Sequence, residues 1–320
     1  MIDIIGKRKY FVGFSLILVL ASIVALVYPG LRLGVDFTSG TSINILFTGT
    51  DPGTENTRLA FADAGYDEAV VQRSGDKEYF VRTRDLSETG RDKVEAALKA
   101  RTGPEYRILE VSTVGAAVAR ETIRTAILAT LVGTGFVMAY IMYSFREVPS
   151  SYRFAIASVI PLVHDVVITM GAFAILGRVI GAEVNAIFIV GILTLIGYTV
   201  NNTIVVFDRV RENVRVAPAR PFRQTVNLAI NETLVRNLNV SITTLIAILA
   251  MILLGGDSLR DLLLVLFIGL LIGTYSSTVI AAQILVAWES GELGRIVRLR
   301  FLRRRKAPIQ AQPQPQSQQA

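Results

Sequence analysis

The sequence contains no cysteine and a single histidine, His164. Without thiols there is no disulfide framework, zinc–thiolate site, iron–sulfur cluster or cysteine nucleophile, and one imidazole cannot build a multi-histidine metal centre. Charge is scarce as well. Asp, Glu, Lys and Arg make up 18% of the 320 residues against 52% hydrophobic, and the mean hydropathy of +0.49 is too apolar for an ordinary water-soluble enzyme. The charge that is present is basic, 33 Lys and Arg against 26 Asp and Glu, a formal +7. Gathered on one surface, such an excess would point to nucleic acid. Here the basic residues flank apolar segments, and no nucleic-acid partner is expected.

Those apolar segments are long. A bilayer core of ~30 Å takes ~20 helical residues, and runs of about that length fall at 11–28, 122–143, 154–176, 184–207, 234–254 and 262–288. The expectation is an α-helical membrane protein with six transmembrane helices. Lys7, Arg8 and Lys9 precede the first run in the manner of a secretion signal. No small-residue cleavage site follows a short apolar core, so the run reads as a retained helix.

Placing Lys7 to Lys9 in the cytoplasm also puts Arg146, Arg153, Arg209, Arg211, Arg215, Arg220, Arg223, Arg303, Arg304, Arg305 and Lys306 inside, and leaves Arg178 and Arg260 in short outer loops. This is the positive-inside distribution, with both termini cytoplasmic and residues 31–120 outside. The expected divisions are 1–30, the N-terminus and first helix; 31–120, a folded outer domain; 121–290, helices two to six; and 291–320, a basic and then Gln/Pro-rich disordered tail.

Within 31–120 the pattern is βαββαβ. Residues 42–47, 69–73, 78–82 and 106–111 alternate as strands, and 54–64 and 86–100 have helical periodicity with Val94, Ala97 and Leu98 on one face. That order is the split βαβ, ferredoxin-like plan, an α+β unit with two helices over one face of a four-stranded antiparallel sheet. Clustered carboxylates, a glycine-rich phosphate loop and a nucleophile with a nearby base are all missing from it, so binding or mechanical work is expected, not catalysis.

Polar groups inside the spans carry the functional signal, because an ionisable group at mid-membrane costs ~2.5–3.5 kcal/mol or more and usually faces the bundle interior. Asp165, beside His164, lies midway along the third span; Asn201 and Asn202 lie three-quarters along the fourth; Arg236 lies near the start of the fifth. Each has a structural reading too. Asp165 could be a helix–helix hydrogen bonder, the asparagines interhelical glue, Arg236 a snorkelling side chain, and Arg209 and Arg211 inner-face anchors. In the sixth span Gly269, Gly273, Ser277 and Ala281 recur every four residues, a small-residue stripe for close packing within the chain or against a subunit.

Several stretches resemble the SecD/SecF family of protein-export membrane proteins. Residues 33–41, Leu-Gly-Val-Asp-Phe-Thr-Ser-Gly-Thr, with Gly34, Asp36 and Phe37, match the family's G-V/I-D-F-x-G-G motif. Residues 197–213, from Gly197 through Asn201, Asn202, Asp208 and Arg209 to Asn213, follow its G-Y-S-x-N-D-T-I-V-x-x-D-R-I-R-E-N stretch almost residue for residue. His164-Asp165, Leu193-Thr194 and 273–277 match as well, and six helices with one outer domain after the first is the plan of the SecF members. The resemblance implies a bacterial inner-membrane subunit that works with SecD beside the SecYEG channel, with YajC and YidC as further candidate partners. It also implies an RND-superfamily fold that uses the proton gradient to assist translocation of a preprotein, with the proton as coupling ion and no other cofactor. It places a proton-pathway Asp at Asn202 and a pathway Arg at Arg236, working with an Asp contributed by SecD; Asp165, the central carboxylate of the third span, is a further candidate for the pathway.

At two places the sequence departs from the family. Asn202 stands where the family has Asp, and an amide has no proton to exchange. It is either an engineered mimic of the protonated acid, which the intact motif around it favours, or a natural residue that leaves proton carriage to Asp165 and a SecD carboxylate. Residues 114–118 read Val-Gly-Ala-Ala-Val where members often have V-G-P, so the start of the second helix is expected to be less rigid. A structural subunit that moves no protons and an RND-type small-molecule or lipid exporter half are the alternative functions.

Overall fold

The computed structural model describes residues 1–146, 151–255 and 259–291; the basic cluster at 303–306 and the tail expected to be disordered lie outside them. In chain order the elements are α1 (Arg8–Val27), α2 (Val35–Thr38), β1 (Gly40–Phe47), α3 (Gly53–Asp63), β2 (Val70–Gly75), β3 (Glu78–Thr83), α4 (Glu88–Thr102), β4 (Tyr106–Val114), α5 (Ala116–Ser144), α6 (Ser151–Val179), α7 (Ala186–Val216), α8 (Phe222–Leu254), α9 (Arg260–Tyr275), a π-helical turn (Ser276–Ile280) and α10 (Ala281–Glu289). Among the described residues six helices are long and apolar enough to cross a membrane: α1, α5, α6, α7, α8 and the continuous α9–α10.

Two of them outrun their apolar stretches. Hydropathy falls at residue 207 and recovers at 234, yet α7 continues to Val216 and α8 begins at Phe222. Helical spacing explains the extension: Phe207, Val210 and Val214 from α7 and Phe222, Val226 and Ile230 from α8 join one core cluster, so the helices pair as an amphipathic hairpin beyond the span. The N-terminal segment closes onto this hairpin. Asn227 and Asn231, one turn apart on α8, hold its backbone through Ile2 N to Asn231 Oδ1 (2.8 Å), Ile4 N to Asn227 Oδ1 (2.9 Å), and both asparagine amides to the Ile2 carbonyl. Ile4 and Ile5 are buried in the same cluster.

The centre of the bundle is α6, α7 and α9–α10, with α1 against α6, α5 against α6 and α7, and α8 against α7 and α9. Small residues let α9 settle onto α7. A Cβ on Gly269 would lie 2.5 Å from Leu195 Cδ2, and one on Gly191 would lie 2.8 Å from Val265 Cγ1. The small-residue stripe of the sixth span thus packs inside this chain, with Ser277 and Ala281 fully buried.

The sheet has strand order β2-β3-β1-β4 with every pairing antiparallel, the arrangement expected of the βαββαβ plan. Alternation sends Ile43, Ile45, Phe47, Tyr79 and Val81 to one face, where Phe61, Val94 and Leu98 of α3 and α4 cover them. The opposite face is polar and looks toward the bundle. Ser42, Asn44, Gln72, Glu110 and Ser112 line a cleft of about 420 Å³ whose other wall is the α6–α7 connection, Ile180 to Asn185.

Candidate functional site

A joint between domain and bundle is built from the first family-like motif. Gly34 N donates to the Val184 carbonyl (2.8 Å) and Val184 N to the Arg32 carbonyl (2.8 Å). Asp36 Oδ2 accepts from Ala186 N (2.8 Å), and Asn185 Oδ1 accepts from Phe188 N (2.8 Å), so two side chains cap the first turn of α7. Phe37 packs onto the bundle core. Across the joint Glu183 Oε1 lies 3.2 Å from Arg32 Nε and 3.6 Å from an Arg82 nitrogen, and Arg82 also donates to the Leu33 carbonyl. Burial pushes the Glu183 carboxyl above the ordinary range, partly offset by Arg82 and Arg32, and burial also pulls the Arg32 guanidinium down.

At the opposite end the second motif forms an ion-pair network. Arg209 donates to Glu232 Oε2 (2.7 Å) and Glu212 Oε2 (2.6 Å), Asn213 Nδ2 donates to Glu232 Oε2 (2.8 Å), and Arg211 pairs with Asp208 (2.5 Å) while donating to the Ser144 carbonyl (3.3 Å). Arg209 and Arg211 therefore tie α7 to α8 and to the end of α5, beyond the anchoring read from their charge. Glu232, which sequence reasoning passed over, is the hub.

Midway along the bundle sits the polar centre. Pro161 breaks the backbone ladder of α6 one turn before Asp165, since proline has no N–H to give the carbonyl of residue 157. Asp165 is 1% exposed. Its Oδ2 accepts from Ser276 Oγ (2.6 Å) and its Oδ1 faces His164 Nδ1 (2.9 Å). Ser276 opens the π-helical turn, a local widening that recurs at functional sites. Gly273 makes the room: a Cβ there would lie 2.4 Å from Thr199 Oγ1 and 3.5 Å from Asp165 Oδ2. Beyond the imidazole, His164 Nε2 meets Ser15 Oγ (3.1 Å), Ser15 Oγ reaches Tyr275 Oη (3.4 Å), and Tyr275 Oη donates to the Phe11 carbonyl (2.8 Å).

Third-span and fourth-span polar groups thus meet, but through Thr199, one turn before Asn202. Asn202 is 2% exposed, and its Nδ2 is buried without a hydrogen-bond partner among the described residues. Such a group costs about 1–3 kcal/mol. Asn201 is on the exposed side of α7, and Arg236 is exposed on α8 with no ion pair among the described residues. Asn239 and Thr243 continue the exposed side of α8 at helical spacing, giving a polar strip on an otherwise apolar surface. Sequence reasoning found Asp165 and His164 but missed Ser15, Thr199, Tyr275 and Ser276 as their neighbours. The only signal for the last two was the 273–277 match.

Residues 93–291 match the family model described as protein export membrane protein SecD/SecF, C-terminal. The protein translocase subunit SecF of Thermobaculum terrenum is 38% identical over 310 residues, covering 93% of this chain and 97% of the relative. The protein translocase subunit SecDF of Thermus thermophilus is 32% identical over 297 residues, which is 90% of this chain and 38% of that longer one. Among solved structures, the crystal structure of SecDF from Thermus thermophilus, named a translocon-associated membrane protein, matches with a TM-score of 0.80 at 33% identity, covering 90% of this chain and 39% of that one. SecDF in its super-membrane-facing form matches with a TM-score of 0.64 at 30% identity, over 93% and 40%.

Proposed function

Because this chain belongs to the SecD/SecF family of protein-export membrane proteins and aligns with SecF subunits nearly end to end, we propose that it pairs with SecD in the bacterial inner membrane and uses the proton gradient to assist preprotein passage through the SecYEG channel. YajC and YidC are the accessory partners in this reading. Both termini face the cytoplasm, and the sheet domain works on the outer side.

One observation carries the proton part: Asp165, buried at mid-bundle and held by Ser276 and His164. A carboxyl kept in an apolar span at a cost of several kcal/mol suits a group that gains and loses a proton. With Asn202 as it stands, the titrating groups are Asp165 and a SecD carboxylate. Arg236, on the open side of α8, is placed to pair with the latter. Protonation then alters the pairing, the helices shift, and the ion-paired joint at Glu183 passes the movement to the outer domain. A difference of a few kcal/mol between two packings is enough to move populations substantially.

Proton uptake by proteoliposomes containing this chain, its SecD partner and SecYEG tests the proposal. Asp165→Asn is expected to abolish uptake, Arg236→Met to reduce it at least tenfold, and Asn202→Asp to raise it. Uptake indifferent to Asp165→Asn would overturn the proton-coupled reading. The amide at 202 favours a second reading, a subunit that fixes SecD and the channel without moving protons; no uptake with either residue at 202 would support it.

A further inference from the structure

We infer that a proton held at Asp165 leaves along α1 through His164, Ser15 and Tyr275, and not toward the buried Asn202 and the exposed Arg236 of α7 and α8. The inference rests on the proton-coupled reading above and adds the route inside this chain.

The two carboxylate oxygens are not equivalent. Oδ2 takes the Ser276 hydroxyl at 2.6 Å, whereas Oδ1 faces an imidazole nitrogen at 2.9 Å. Imidazole accepts a proton on one nitrogen and releases another from the opposite one, and the opposite nitrogen here is 3.1 Å from Ser15 Oγ. Ser15 is buried and donates toward Tyr275 Oη at 3.4 Å; Tyr275 in turn donates to the Phe11 carbonyl at 2.8 Å. Phe11 lies one turn nearer the start of α1 than Ser15, and three residues, about 4.5 Å, from the first helical residue Arg8. The string therefore leads from mid-bundle to α1. The aromatic rings of Phe11 and Phe14 pack on Tyr275 and wall the route from the lipid side.

Ser15 donating to Tyr275 sets one direction of transfer, and the imidazole serves it in the tautomer that carries its proton on Nε2. Asp165 gives its proton to His164 Nδ1 as the Nε2–H bond breaks and that proton passes to Ser15 Oγ. The hydroxyl proton of Ser15 moves to Tyr275 Oη, and the phenolic proton of Tyr275 leaves its bond to the Phe11 carbonyl and passes to water. One carboxylate and one hydronium result, and His164, Ser15 and Tyr275 each end neutral. The Phe11 carbonyl orients the phenol. The ionisable groups that the structure puts against Asp165 are His164 from α6 and, through Ser15, Tyr275 from α9; α7 contributes the hydroxyl of Thr199 and α1 that of Ser15. Toward α7 and α8 the polar groups joined by hydrogen bonds, Tyr198, Ser241, Thr274, Asn237 and Thr278, do not reach Asp165 through any such bond among the described residues, and the buried amide of Asn202 has no proton to exchange.

Proton uptake and proton-driven export are measured between pH 5.5 and 8.5, in H₂O and D₂O, with the full complex in proteoliposomes carrying wild-type chain, His164→Gln, Ser15→Ala, Tyr275→Phe or Asp165→Asn. Glutamine keeps hydrogen bonds at 164 but cannot take a proton on one atom and release one from another. His164→Gln is expected to cut uptake at least tenfold, Ser15→Ala and Tyr275→Phe to cut it about three- to tenfold, and all three to change the solvent isotope effect. If Asp165→Asn abolishes uptake while His164→Gln, Ser15→Ala and Tyr275→Phe keep the wild-type rate and pH profile, the route is wrong and the proton-coupled reading stands. If Asp165→Asn is inert, both fall. Should His164→Gln fail to assemble with SecD, the two hydroxyl variants decide.

Discussion

Gly273 shows how much one hydrogen atom in place of a methyl group decides. The missing Cβ lets the Thr199 hydroxyl, the Asp165 carboxylate and the π-helical turn occupy one level of the bundle. Gly273→Ala is expected to lower the melting temperature of the detergent-solubilised protein, with a cost of about 1–3 kcal/mol for the forced overlap, and to reduce proton uptake by displacing Ser276 from the carboxylate. Thermal melting and the uptake assay check the two halves separately. An ionisable side chain inside an apolar run stands out in any hydropathy reading, so Asp165 was legible in the sequence. Its partners were not. Ser276 is 111 positions from Asp165 and Ser15 is 149 from His164, which it meets, and serines and threonines in membrane helices ordinarily bond to their own preceding turn, as Thr194 and Thr203 do here. Nor does a π-helical turn announce itself in residues 276–280.

Among the elements, boundaries follow hydropathy only while the surroundings are apolar. The four strands and two domain helices fall within a few residues of their sequence patterns, because alternation and helical periodicity act locally. The ends of α7 and α8 were missed by about ten residues because hairpin packing, and not lipid, pays for their apolar faces. The N-terminal clamp belongs to this scale. Alanine at both Asn227 and Asn231 removes every side-chain hydrogen bond they make to residues 2–5, at about 1 kcal/mol each. Cysteine labelling at position 4 is expected to accelerate at least tenfold in that variant; an unchanged rate would mean that burial of Ile4 and Ile5 alone holds the segment.

The joint carries a pH dependence whose sign follows from Glu183. Its carboxyl titrates higher in the docked state than when exposed to solvent, so docking is most favourable below the ordinary glutamate pKa. Docking then weakens as pH rises through the raised value and is constant above it. Spin-label distances between β2 and the α6–α7 connection should lengthen over that interval, and Glu183→Gln should remove the change.

Taken whole, the described residues hold three hydrophobic clusters, two in the bundle and a separate one between the sheet and its two helices. A fragment spanning residues 39–115 is therefore expected to fold by itself and melt cooperatively by circular dichroism, whereas the bundle leaves most of α1, α5 and α8 uncovered for lipid and partner. The N-terminal clamp also imposes an order of assembly. Its two sides are 223 to 229 positions apart, so at roughly 5–20 residues per second of synthesis the first residues made wait about 10–45 s for their asparagines. Until the fifth spanning helix is made, the backbone of residues 2–5 lacks its asparagine partners, and the closing of that end of the bundle is a record that synthesis has passed into α8.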